Sequence, residues 1–421
     1  MKVKTKRLSY DEVMALPKPK HQRPKRPNIL FRTLLKIVSL PDLISARFHR
    51  EWVGKRRPRR RECCLYLMNH SSFIDLEIAA SVLYPRPFNI VSTWDAFIGK
   101  KWLMRNLGCI PTAKFVYDVG LVRDMFYAVR EKKCSILMYP EAGYSLDGTA
   151  TVLPENLAVF VKKLGASLVM IRTEGAFTRD PLYNNLQKRR VRVKAKMEYL
   201  FSAEELQQKE EGEISARLAE AFSIDAFRWQ KENGVRVDEP FRADYLNRVL
   251  YKCPHCLTEG DMEGKGTHLL CHACGADYTL DEYGELHAEN RESLFSYIPD
   301  WFAWQRKCVR EELEKGTYLL DVPVEIAMQV DAKALYFVGE GRLRHDKEGF
   351  TLTGCDGKLT YTHKSANMYS VNADYNFYEI GDMVSFGSTK ALYYCFPKAK
   401  GDFVAKTRLA VEEGYRLKNG K

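Results

Sequence analysis

A histidine and a carboxylate with four residues between them, His70 and Asp75, lie in the stretch Leu65-Tyr66-Leu67-Met68-Asn69-His70-Ser71-Ser72-Phe73-Ile74-Asp75-Leu76. An apolar run feeds a short polar turn. An apolar helical pattern follows (Leu76, Ile78, Ala79, Ala80, Val82, Leu83). The pattern predicts a strand-to-helix turn with both side chains at its mouth. A neutral imidazole there takes a proton from a hydroxyl, and the carboxylate holds its tautomer and stabilises the imidazolium. The plain alternative is a helix N-cap at Ser71 or Ser72 beside a surface histidine.

Two further turns repeat the design. Ser135-Ile136-Leu137-Met138-Tyr139-Pro140-Glu141-Ala142-Gly143-Tyr144-Ser145 is an apolar strand followed by a turn that carries Glu141. Between the two lies Leu107-Gly108-Cys109-Ile110-Pro111-Thr112-Ala113-Lys114, a turn with a cation after it. A base-acid pair, a cation and a carboxylate thus follow one another on successive loops. This order resembles the glycerolipid acyltransferase family, which includes the 1-acylglycerol-3-phosphate acyltransferases. The residues that carry the resemblance are Asn69, His70 and Asp75; Gly108, Ile110, Pro111 and Lys114; Pro140 and Glu141; and the strand Ser167 to Ile171. It covers roughly residues 30–200, and its first block is the specific one.

The chain departs from that pattern twice. Lys114 stands where the family usually has Arg, and Tyr144 stands where a second Arg usually follows the glutamate. Those arginines are credited with gripping the acceptor phosphate. Lys is a point charge without the bidentate fork, and Tyr offers one hydroxyl and no charge. The reaction type therefore carries over better than a phosphate-bearing acceptor.

The elements that must position these turns can be read around them. The 421 residues allow two to four domains, and no run reaches the ~18 apolar residues that a bilayer span needs. The start is polar and basic, without the apolar core of a signal peptide. Residues 1–61 hold 19 Lys and Arg against 4 Asp and Glu, so the net +12 of the chain is concentrated there. Ile29 to Val38 and Leu43 to Phe48 mix apolar and basic residues, and Lys55 to Arg61 is polybasic. This predicts a basic amphipathic arm over 1–61 that docks on an anionic membrane surface. The alternative is a helix packed on the domain plus a solvated charge run.

Cys253-Pro254-His255-Cys256 and Cys271-His272-Ala273-Cys274 are two Cys-x2-Cys knuckles fourteen residues apart. Such knuckles turn two thiolates each toward one ion, and Cys253, Cys256, Cys271 and Cys274 would close a tetrahedral zinc shell with no open position. The site is expected to be structural, in a zinc ribbon over about 248–288. Eleven cysteines without a secretory signal argue against a disulfide framework. Cys109 lies in the second block, where it reads as a small buried side chain more readily than as a nucleophile. Residues 202–235 and 291–315 read as helical. From Val322 onward, short alternating segments predict seven or eight strands, closed by a helix over Phe403 to Leu417. A pleckstrin-homology-like barrel over 318–421 fits that count as a fold-level analogy.

The expected architecture is an α/β acyltransferase domain over roughly 30–235, then the ribbon, then the small all-β barrel. By resemblance, the acyl donor is a thioester on coenzyme A or on acyl carrier protein, the latter then a protein partner. The acceptor is a lysophospholipid or glycerol-phosphate-like alcohol in phospholipid biosynthesis. His70 is the expected base and Asp75 its orienting acid. Glu141, Lys114, Tyr144 and Gly108 are the expected acceptor-side residues. The reaction needs an oxyanion stabiliser that the sequence does not name; backbone N–H groups near Ser71 and Ser72 are candidates. The expected location is cytoplasmic, peripheral on the inner face of a membrane. Two rival readings are a non-catalytic lipid-binding scaffold on the same fold and a nucleic-acid-binding ribbon. Against the second, residues 253–287 hold one basic residue, Lys265, and seven acids, which would repel a phosphate backbone.

Overall fold

The computed structural model describes residues 2–399 and 401–420. β1 (Thr5–Arg7) opens the chain. A seven-stranded sheet follows, built from β2 (His49–Val53), β3 (Cys64–Met68), β4 (Phe88–Thr93), β5 (Cys109–Thr112), β6 (Ser135–Met138), β7 (Ser167–Glu174) and β8 (Lys194–Phe201). Its order is β2-β8-β7-β3-β6-β4-β5. Every neighbouring pair is parallel except β7 with β8.

All five residues of β3 are buried, which is why its sequence is a continuous apolar run rather than an alternation. Side chains still divide by parity. Tyr66 and Met68 join the core under the helix Ile74–Leu83, together with Ile78, Ala79, Leu137 and Val169. Leu65 and Leu67 face the opposite core with Met125, Ala128, Val161 and Leu218, from the helices Val119–Arg130, Leu157–Leu164 and Glu211–Ala221. The stretch expected as helical over 202–235 is three helices, Ala203–Gln208, Glu211–Ala221 and Ala226–Glu232.

Four short strands, β9 (Met262–Lys265), β10 (His268–Cys271), β11 (Asp277–Leu280) and β12 (Leu286–Ala288), form an antiparallel sheet that carries the second knuckle. The helix Ile298–Lys315 follows, with Trp301 and Val309 buried. A third sheet has the order β16-β15-β14-β13-β19-β18-β17. Its strands are β13 (Leu320–Gln329), β14 (Leu335–Asp346), β15 (Gly349–Gly354), β16 (Leu359–Lys364), β17 (Asn372–Phe377), β18 (Gly381–Gly387) and β19 (Leu392–Pro397). This antiparallel ladder has β16 and β17 at its two ends. The helix Phe403–Lys418 follows it, one residue longer than the sequence pattern indicates.

Residues 1–61 divide between two bodies. β1 pairs in parallel with β14 of the third sheet. The segment near residues 21–26 straps the first sheet, with His21 against Asp124 and Arg105 donating to the carbonyls of Gln22 and Arg23. The helix Ile29–Ser45 packs on Ile74–Leu83, and β2 becomes an edge strand of the first sheet.

Candidate active site

In a parallel sheet, the strand carboxyl ends share one rim, which is where ligands of open α/β sheets bind. β3 leads into His70, β6 into Tyr139 to Tyr144, and β5 toward Lys114. β3 and β6 are neighbours, so the His70 and Glu141 turns meet.

Asn69 fixes the first turn. Its side chain donates to Ser71 Oγ and Thr173 Oγ1 at 2.9 Å each, and accepts from the Thr173 N–H at 2.8 Å. His70 Nδ1 lies 3.1 Å from Asp75 Oδ2. That oxygen also accepts from the N–H groups of Ser71 (2.7 Å) and Ser72 (3.0 Å). Asp75 is fully buried while the His70 side chain keeps 19% of its surface. The pair therefore presents Nε2 as the outward nitrogen. Burial pushes the His70 pKa below its ordinary value; Asp75 opposes that shift and Lys114 adds to it. The net shift favours the neutral imidazole, the form a base needs. The rings of Tyr139 and Tyr144 lie 4.3 and 4.1 Å from the imidazole centroid, clasping it between them.

Three of the sequence expectations require a different account. The Ser71 and Ser72 N–H groups are occupied by Asp75, so they are not oxyanion donors here. Gly108 lies at the start of β5, at the opposite end of the strand from Lys114. Its φ is +87°, and an added Cβ would stand 3.0 Å from Pro27 and 3.2 Å from Asn89. The glycine packs against the N-terminal strap. Glu141 is buried, with both oxygens taken by the chain. Oε2 accepts from the His70 N–H at 2.9 Å, and Oε1 from the N–H and Oγ1 of Thr151 at 2.8 and 3.0 Å. Burial raises its pKa, and these donors and Arg408 oppose the shift. In this geometry Glu141 clamps the backbone of the His70 turn. The Ser145 N–H closes the clamp on the His70 carbonyl at 3.2 Å.

The C-terminal sheet and helix reach the same rim. Lys114 Nζ donates to Asn372 Oδ1 at 3.2 Å. The Tyr378 hydroxyl donates to Asp95 at 2.8 Å. Arg408 Nη1 donates to the Tyr144 carbonyl at 2.8 Å. No local motif announces Asn372, Tyr378 or Arg408, and Lys114 and Asn372 are 258 positions apart.

At the knuckles, the four sulfurs lie within 4.8 Å of one another. Cys253 with Cys274, and Cys256 with Cys271, are each 3.7 Å apart. Four thiolates about 2.3 Å from one zinc ion would stand about 3.8 Å apart, so the cluster fits a tetrahedral ion. His272 is turned to Glu263 at 2.8 Å, and the His255 ring lies near Tyr278; neither is needed as a ligand.

Residues 49–175 match the family model Acyltransferase. Among solved structures, the chain is similar to the 1-acyl-sn-glycerophosphate (LPA) acyltransferase PlsC from Thermotoga maritima. The identity is 14% over 49% of this chain and 81% of that one, with a TM-score of 0.39. No curated protein matches. The segment that holds His70, Asp75, Lys114 and Glu141 thus lies within the match to the Acyltransferase family model.

Proposed function

We propose that the protein transfers an acyl chain from a thioester donor, on coenzyme A or acyl carrier protein, to the hydroxyl of a lysophospholipid-like acceptor. The observation that carries this reading is the His70–Asp75 pair: a neutral imidazole, held at Nδ1 by a buried carboxylate, with Nε2 outward. The acceptor hydroxyl gives its proton to Nε2. Its oxygen forms the new C–O bond at the thioester carbonyl, the C–S bond breaks, and the thiolate regains the proton from the imidazolium. No covalent enzyme intermediate forms. Asp75 holds the tautomer throughout, and the Glu141 clamp sets the turn.

The substrate is amphiphilic, and an apolar surface leads to the site. On the helix Ile29–Ser45, the residues Leu30, Leu34, Ile37, Val38, Leu40 and Ile44 are exposed along one face. Phe73 and Leu76 are exposed at the start of the next helix. Phe73 lies 5.8 Å from the Tyr144 ring, which packs on His70. Among the described residues no helix is long and apolar enough to cross a membrane. In this reading the apolar face and the basic residues of 1–61 seat the protein on an anionic lipid surface, and the knuckles hold one structural zinc ion. Acyl transfer from an acyl-CoA to lysophospholipids, measured with purified protein and with His70→Ala, tests the proposal; turnover that survives the substitution would overturn it.

A further inference from the structure

Two groups of opposite charge act on the rings of the site, Lys114 on His70 and Asp374 on Tyr144, without forming an ion pair among the described residues. Lys114, after β5, is held by Asn372 Oδ1. Asn372 and Asp374 are two residues apart on β17, ahead of the irregularity in its register, so their side chains leave the same face of the strand. Since Asn372 meets Lys114, Asp374 faces the acyltransferase rim as well. Its Oδ1 is buried and has no hydrogen-bond partner. Burial pushes the Asp374 carboxyl up to about 6, while Lys114 draws it down and Asp95 adds to the rise. The Tyr144 hydroxyl shares Asp95 with it: burial raises its pKa, and Asp75, Asp374, Asp180 and Asp95 add to the rise.

This is a poor setting for a phosphate dianion. The position where the family usually has a second arginine holds a tyrosine, on which four carboxyl groups act. A buried carboxylate oxygen without a donor is costly to leave unsatisfied, and a ligand N–H supplies what it lacks. Lys114, close by, suits a single negative charge. We propose that the acceptor carries a zwitterionic headgroup, its phosphodiester meeting Lys114 and its primary ammonium donating to Asp374. The inference rests on the acyl-transfer reading and assigns the specificity of that site to a residue of the C-terminal sheet.

The test uses the full chain, an acyl-CoA donor and three acceptors. Lysophosphatidylethanolamine has a phosphodiester and an ammonium, lysophosphatidylglycerol a phosphodiester alone, and lysophosphatidic acid a phosphomonoester. The expected order of kcat/KM is ethanolamine, then glycerol, then phosphate. In Asp374→Asn the ethanolamine-to-glycerol ratio of kcat/KM should fall about tenfold to a hundredfold, the size of a charge-assisted hydrogen bond, and mainly through KM. A ratio taken within one preparation cancels any loss of folded protein. Asp374→Glu should restore part of the preference. Lys114→Ala should weaken both phosphodiester acceptors together and leave their ratio unchanged. A wild-type preference for lysophosphatidic acid, or a ratio unmoved by Asp374→Asn, overturns the inference while leaving acyl transfer standing. No His70-dependent acylation of any of the three overturns both.

Discussion

At the scale of single residues, His70 is set by three neighbours that act on different atoms. Asp75 fixes Nδ1, Glu141 the backbone N–H, and Ser145 the carbonyl. Loss of the base in His70→Ala should lower turnover ~10²–10⁴-fold, the usual weight of general-base catalysis, with the far-UV spectrum unchanged. The pH profile carries its own sign. Burial holds the folded pKa of His70 below 6.5, so the imidazole stays in its base form to lower pH than a free histidine. The acid limb of kcat/KM should therefore fall below pH 6.5; a limb above it would show that Asp75 outweighs burial. Asp75→Asn should be damaging by another route. Its amide can still meet Nδ1, but it cannot stabilise an imidazolium by charge, so kcat should fall more than KM rises.

At the scale of elements, the turns matter more than the helices they join. Gly108 combines a positive φ with contact to Pro27 and Asn89. Gly108→Ala should lower stability by ~1–2 kcal/mol, read as a lower melting midpoint, because an added Cβ meets Pro27 of the strap and Asn89. The ribbon depends on its two knuckles in the same way. Purified protein should carry about one zinc per chain, and Cys253→Ser with Cys271→Ser should remove it and unfold the ribbon. Metal content unmoved by that pair of changes would reject the assignment. Trp301 packs edge-on against Tyr278 of the ribbon, so tryptophan fluorescence should report the loss.

Across the whole molecule, the third sheet is joined to the first at the reaction rim. β1 also ties the start of the chain to β14. Arg408 is nearly buried, bonded to Glu412 and to the Tyr144 carbonyl. Arg408→Ala should free the loop that holds Tyr144 against His70 and leave Glu412 buried with one fewer partner. Glu412 keeps Arg306 and Ser370, so the variant should show a moderately lower melting midpoint, with a fall in kcat beyond what the folded fraction explains. The charge of residues 1–61 gives a prediction at the same scale. Sedimentation with vesicles should rise with anionic lipid content and weaken as salt screens the attraction; equal binding to neutral vesicles would leave only the apolar face at work.

What the sequence determined by itself follows from short range. The apolar run of β3, the polar turn after it and the helical pattern beyond are local signals, so His70 and Asp75 could be paired from spacing alone. The Cys-x2-Cys knuckles are legible for the same reason, since each pair must turn within four residues. The order of the three blocks carried the acyltransferase resemblance, which the family match to residues 49–175 supports. Tertiary structure decided the rest. Whether a polar group faces a ligand or its own chain depends on which donors lie across the fold. Glu141 and the Ser71 and Ser72 N–H groups looked free in sequence, yet their partners are supplied by the folded turns. Asn372, Asp374, Tyr378 and Arg408 have no motif to mark them, because their meeting with the rim is fixed by strand pairing and helix packing hundreds of residues downstream. A sequence shows the chemistry a residue can perform; only packing across long separations sets what that residue meets.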